Sequence, residues 1–118
     1  VSVPPEFHGP GGSTNPEELL TSALAGCYTI TFGIIAANRK LPVLSVETEA
    51  IGVVEQTGAN FTYKSLTLRP RISVSAEATE EQISATRDIA IKTDSYCIVP
   101  NAVRGKVTIS IEPEVVRT

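Results

Sequence analysis

The sequence predicts an α+β fold, two helices with a mainly antiparallel sheet in a single domain, and three observations carry that expectation. A long stretch without charged residues opens on strong helix-start signals. Two alternating runs, joined by a short link containing Gly and Asn, read as a hairpin. A second capped helix is followed by another alternating run.

The first helix is expected from Pro16. Thr14 or Asn15 suits the N-cap, Pro16 the first helical position, and Glu17 and Glu18 the positive end of the dipole. From Leu19 to Ala37 there is no charge, until Asn38, Arg39, Lys40 and Pro42 close the helix. That length approaches a membrane span. The interspersed Thr, Ser, Gly, Cys and Tyr point instead to the buried centre of a soluble assembly. Ser22, Gly26, Thr29, Gly33 and Ala36 form a stripe of small residues, along which another backbone could pack closely. Cys27 lies beside it, with Leu20, Leu24, Ile30 and Ile34 on its own side.

Strands are expected over Leu44–Glu55 and Phe61–Ala76. Residues 56–60 form the link, and a phase slip beside Gly52 suggests a bulge. Pro70 suits an edge or bulge position. The second helix should run from Glu80 to Tyr96, with a Thr79–Gln82 capping box at its start and Pro100 beyond its end. One stripe of it carries Ile83, Thr86, Ala90, Thr93 and, at the C-terminal end, Cys97. A last strand spans Lys106 to Ile111. Residues 1–14, rich in Pro and Gly and holding the single histidine, His8, read as irregular lead-in.

Composition removes several function classes. With 118 residues, 42% of them hydrophobic, the chain is of ordinary globular make-up and can bury a modest core, which a second copy would extend. The net charge is −3 and the ten Lys and Arg are scattered, so no basic face offers itself to nucleic acid or to an anionic membrane. Two cysteines far apart and one histidine do not make a zinc site, and neither metal nor cofactor is expected. No secretory signal precedes the cysteines, which suits a cytoplasmic protein with thiols. There is no Met, so the fold is expected to be incomplete at its N-terminus.

Thr14-Asn15-Pro16-Glu17-Glu18-Leu19-Leu20, followed by Ala23, Ala25 and Cys27, resembles the first cysteine motif of the OsmC/Ohr family, the osmotically inducible and organic hydroperoxide resistance proteins. Cys97 followed by Asn101-Ala102-Val103-Arg104-Gly105 is similar to its second motif, with Ile98 where the family usually has Pro. The resemblance runs from Pro10 nearly to the end. It implies an intertwined homodimer and a thiol-dependent peroxidase reducing organic hydroperoxides in the oxidative stress response. Cys27 would be the peroxidatic thiol, Cys97 the resolving thiol that closes a disulfide with it, and Glu17 the carboxylate of the active-site network. A dithiol, such as a lipoylated protein or a small thiol, would restore the pair.

The chemistry sets its own conditions. A thiol attacks as thiolate, and burial alone makes a thiol inert, so Cys27 needs a nearby positive group. The family takes an Arg from its N-terminal strands, whereas this sequence has no Arg or Lys before Arg39. The cation lies upstream, or another basic group substitutes, with Arg104 and Arg71 as candidates. On a straight helix Glu17 and Cys27 are separated by about 15 Å, so a direct network needs a break in the helix or a Glu17 from a two-fold partner. Leu24, Ile30 and Phe32 make an apolar peroxide tail a plausible guest. The rival reading is a non-catalytic binding or assembly module with two inert core cysteines.

Overall fold

Asn15 opens the first helix as its N-cap, the Oδ1 accepting from the Glu18 N–H at 2.9 Å, and Pro16 follows where no amide hydrogen is needed. The computed structural model describes residues 15–118, so His8 and the lead-in lie outside the described residues. The helix, α1, runs unbroken over Pro16–Asn38. It ends in a Schellman closure, with the Lys40 N–H bonded to Ala37 O and the Leu41 N–H to Ala36 O. Lys40 takes the left-handed conformation (φ 55°) usually left to glycine.

Leu24, Tyr28, Phe32 and Ala36 recur at intervals of four and are the buried stripe of α1. Ile30 and Ile34, expected on the side of Cys27, are 66% and 57% exposed. The small-residue stripe is only partly covered. Thr29 bonds Thr48 on the sheet at 2.7 Å, but a Cβ built at Gly26 or Gly33 would meet nothing within 4 Å. Within the described residues, then, no backbone lies against the middle of that stripe.

The hairpin consists of β1 (Val43–Thr57) and β2 (Asn60–Val74). The expected five-residue link shrinks to two, because Thr57 pairs with Asn60 and Gly58 supplies the positive φ (62°) of a tight turn. The slip expected near Gly52 is present. Val53 pairs with Ser65 and Val54 with Tyr63, leaving Lys64 as the extra residue of a bulge.

After the hairpin come α2 (Glu80–Lys92), a 3-10 turn (Thr93–Tyr96), α3 (Ile98–Val103), β3 (Thr108–Ile111) and β4 (Glu114–Arg117). The capping box forms in full, with Thr79 Oγ1 accepting from the Gln82 N–H and Gln82 Oε1 from the Thr79 N–H. The second helix is shorter than expected, and the short α3 was not anticipated: Pro100 lies in the first turn of α3 rather than behind a finished helix. The last strand continues past Ile111 into β4. Both β3 and β4 pair with β2 in parallel, so the sheet is mixed, its long antiparallel hairpin extended by a parallel edge. This makes β2 an inner strand. Pro70 is buried within it, opposite the interruption between β3 and β4, where the ladder on that side lapses.

Alternate residues of β2, Leu66, Leu68, Ile72 and Val74, are sealed against the helices. Tyr28 ties the helices together, its hydroxyl donating to the Ala90 carbonyl at 2.6 Å. By length and composition α1 could cross a bilayer. Here its inner face is core, and Thr21 and Thr29 bond side chains of the hairpin.

Candidate active site

The two cysteines, distant in sequence, meet. Cys27 lies in the middle of α1 and is half-buried, whereas Cys97 has no accessible surface. Cys97 is not the last residue of a helix, as its stripe suggested. It is the extended residue (φ −92°, ψ 133°) between the 3-10 turn and α3, and this corner turns its side chain onto α1. The Cys97 thiol lies 3.3 Å from the Thr93 carbonyl oxygen and 3.8 Å from that of Cys27. Both thiols are free.

Burial is the main reason the Cys97 thiol is pushed up to about 11. A hydrogen bond from Thr31 opposes the shift, and Cys27 and the carboxylate of Asp94 add to it. The same surroundings raise Tyr28 well above the ordinary phenol range, chiefly through burial, then through Asp94 and Cys97. Asp94 is held by Arg104, whose Nη2 is 3.2 Å from its Oδ2. Arg104 also donates to Asn101 Oδ1 at 3.0 Å. The second candidate cation, Arg71, is exposed on β2, paired in register with Glu47 and Glu114. Neither candidate is thereby presented as the partner of Cys27.

Glu17 lies in the first turn of α1. Because the helix is unbroken, the carboxylate and Cys27 of one chain are about 15 Å apart along its axis. Glu17 Oε2 is buried and accepts no hydrogen bond among the described residues. It borders a cavity of about 340 Å³ shared with Thr21, Ser22, Gly52 and Tyr63. Tyr63 and Thr21 share a 2.6 Å hydrogen bond, and Thr21 also donates to the Glu17 carbonyl at 2.9 Å. The bond fits because Gly52 has no side chain: a Cβ there would collide with the Tyr63 hydroxyl and stand 2.9 Å from Thr21 Oγ1. A second cleft, of about 530 Å³, opens one helical turn beyond Cys27. Thr31, Ile34, Ile35, Ile89, Lys92 and Tyr96 line it. Leu24 and Phe32, expected beside a guest, are instead closed into the core.

Sequence reasoning thus selected residues that the fold brings together at the cysteines and one, Glu17, that it holds apart. It missed Thr31, Asp94, Gly52 and Tyr63. Only Thr31 had a legible signal, its position four residues after Cys27 on a helix.

A family model described as OsmC-like protein matches residues 9–112. The chain belongs to the OsmC family. The uncharacterized protein YmaD of Bacillus subtilis is 32% identical over 115 residues, spanning 98% of this chain and 77% of that protein. Among solved structures, an organic hydroperoxide resistance protein OsmC from Legionella pneumophila matches with a TM-score of 0.80 at 23% identity, covering 97% of this chain and 79% of its own. The organic hydroperoxide resistance protein OhrB of Bacillus subtilis matches with a TM-score of 0.70 at 18% identity, over 88% of this chain and 74% of its own. At those identities the two structures show that the OsmC fold is shared, including its mixed α+β architecture.

Proposed function

We propose that this OsmC-family chain is a cytoplasmic thiol-dependent peroxidase for organic hydroperoxides, with Cys27 peroxidatic and Cys97 resolving. The carrying observation is the pairing of unlike thiols: the sealed Cys97 sulfur packs 3.8 Å from the carbonyl of the half-buried Cys27. Peroxide reaches the more accessible sulfur. The Cys27 thiolate attacks the terminal, hydrogen-bearing peroxide oxygen, the O–O bond breaks, and a sulfenic acid remains as the departing alkoxide takes up the proton that the thiol had released and leaves as the alcohol. Cys97 displaces its hydroxyl as water, forming the disulfide, and two thiols of a dithiol reductant, such as a lipoyl group, reopen it by exchange. The cleft beside Thr31, walled by Ile34, Ile35 and Ile89, suits an apolar peroxide tail.

The site is completed by a second copy. In support, among the described residues α1 leaves Ile30 and Ile34 exposed and its glycines uncovered, and Glu17 Oε2 accepts no hydrogen bond. An exposed apolar face on a chain this small favours a homodimer. A two-fold partner would bring Glu17 of one chain toward Cys27 of the other, which the unbroken helix forbids within one chain.

The test is consumption of an alkyl hydroperoxide with a dithiol reductant. Cys27→Ser should lose all turnover, and Cys97→Ser should leave one Cys27 that oxidises past the sulfenic acid. Unchanged turnover in Cys27→Ser would end the proposal. The engagement of Arg104 with Asp94 favours a second reading, a binding module with inert thiols. That reading predicts slow alkylation of both thiols at pH 6 and no disulfide after peroxide.

A further inference from the structure

The corner that carries Cys97 joins two pieces too short to hold themselves. The 3-10 turn before it has four residues and α3 after it has six, and neither opens on a side-chain cap. Helical pieces of that length gain little from their own hydrogen bonds. Buried Pro100, with Val99 and Val103 packed against the core, fastens α3 to the body of the fold. The two pieces are tied to each other, across Cys97, by polar contacts.

Asn101 within α3 and Arg104 at its C-cap supply those contacts. Arg104 Nη2 donates to the Asp94 carbonyl oxygen and to Asp94 Oδ2, each at 3.2 Å, and its Nε donates to Asn101 Oδ1 at 3.0 Å. Asn101 Nδ2 donates in turn to the Ser95 carbonyl at 2.9 Å. The bonds close a ring through Asp94, Ser95, Asn101 and Arg104 that reaches from one side of Cys97 to the other. Within it the Cys97 N–H donates to the Asp94 carbonyl at 3.2 Å, and the Asn101 N–H to the Cys97 carbonyl at 3.1 Å. Carbonyls in the last turn of a helical piece lack intrahelical partners, and Arg104 and Asn101 reach back to two of them. An exposed ion pair alone would add little. Here the guanidinium also grips a backbone carbonyl and a second side chain, and the Asp94 side chain is only 13% exposed.

We propose that Arg104 and Asn101 are positioning residues of the resolving step, their ring holding the corner that presents the Cys97 sulfur to Cys27. That sulfur already packs 3.8 Å from the Cys27 carbonyl oxygen, and a disulfide admits a narrow range of geometries, so a loosened corner takes it out of line. In the step, Cys97 gives up its proton and its sulfur attacks the sulfenic sulfur of Cys27. The S–S bond forms as the S–O bond breaks, and the departing hydroxide takes up the proton to become water. The assignment rests on the reading of Cys27 and Cys97 as a disulfide-forming pair.

Arg104→Ala removes three bonds of the ring and Asn101→Ala two. Arg104→Lys keeps the charge but not the fork that reaches Asp94 and Asn101 at once. After a pulse of tert-butyl hydroperoxide, sulfenic acid on Cys27 is trapped with dimedone and the disulfide is followed by quenched mass analysis. All three variants should form sulfenic acid at the wild-type rate. Arg104→Ala should close the disulfide about tenfold more slowly, the scale of a lost hydrogen bond to a charged group, and Arg104→Lys should not restore it. The double variant Arg104→Ala/Asn101→Ala should be slowed by less than the product of the single effects, because the two share the ring. Wild-type closure in Arg104→Ala or Arg104→Lys overturns the proposal, as does equal slowing of sulfenic acid formation.

A second measurement needs no peroxide. Equilibrated with reduced and oxidised dithiothreitol, Arg104→Ala should shift the Cys27–Cys97 couple about tenfold toward the dithiol. A brace that is merely structural would lower the thermal midpoint and leave this equilibrium and the closure rate unchanged, which overturns the proposal. An Arg104-dependent equilibrium with no sulfenic acid on Cys27 in any version upholds the positioning role and overturns the peroxidase reading. No disulfide by either route overturns both.

Discussion

Alkylation of Cys97 in the folded protein should be slow, and the structure sets how slow. Its thiol stands about two pH units above its ordinary value of 9.0, chiefly through burial. Below pH 9 this leaves about 100-fold less thiolate than in the unfolded chain. A more basic thiolate is a better nucleophile, with a Brønsted slope of about 0.4–0.5, which returns roughly sixfold to tenfold. Ionisation alone therefore slows Cys97 about tenfold to twentyfold, and shielding of a sulfur with no accessible surface slows it further. The assay is initial-rate iodoacetamide labelling of the wild-type protein at pH 7, 8 and 9, native and in urea, with modified Cys97 counted by peptide mass. The native rate should lie at least about tenfold below the denatured rate and climb about tenfold per pH unit. A native rate equal to the denatured one would refute the placement of Cys97 as a sealed, proton-holding thiol.

Other consequences are checkable in the same protein. The raised Cys97 thiol means that the folded state holds its proton longer than the unfolded state does, so its contribution to stability is complete below about pH 9 and is lost as pH rises toward about 11. Urea midpoints across that window should fall less in Cys97→Ser than in the wild type. Gly52→Ala forces a methyl into the Tyr63–Thr21 contact, which should lower stability by about 2–4 kcal/mol through overpacking and a lost hydrogen bond. Adding Tyr63→Phe should recover part of that loss, and strictly additive urea midpoints would argue against the clash. Tyr28→Phe removes the donor to the buried Ala90 carbonyl and should lower stability by about 1–3 kcal/mol; an unchanged thermal midpoint would count against that link between the helices.

Legibility from sequence followed the range of the interactions. The N-cap at Asn15, the closure at Arg39 and Lys40 and the Thr79–Gln82 capping box were readable because each is made by residues within five positions of one another. The parallel pairing of β3 and β4 with β2 was not, since strand direction depends on the path of the long crossover between Val74 and Thr108. Pro70 shows the difference well. Its missing N–H argued for an edge, yet it sits in an inner strand because the neighbouring ladder breaks opposite it. The core face of α1, Leu24, Tyr28, Phe32 and Ala36, was not legible either, since a helix apolar almost all round does not declare which side the sheet will cover.

The cysteines mark the same boundary. Read alone, the sequence places one thiol mid-helix, downstream of a capped Asn-Pro-Glu start, and the other at the C-terminal end of a helical stripe, where the fold has instead an extended corner. It took the packed fold to turn the second thiol onto the first and seal it from water, while Glu17 stays a long helical reach away. Helix phase and capping are local, and the sequence carries them directly. Desolvation and the contact of one sulfur with another residue's carbonyl arise only when distant segments pack.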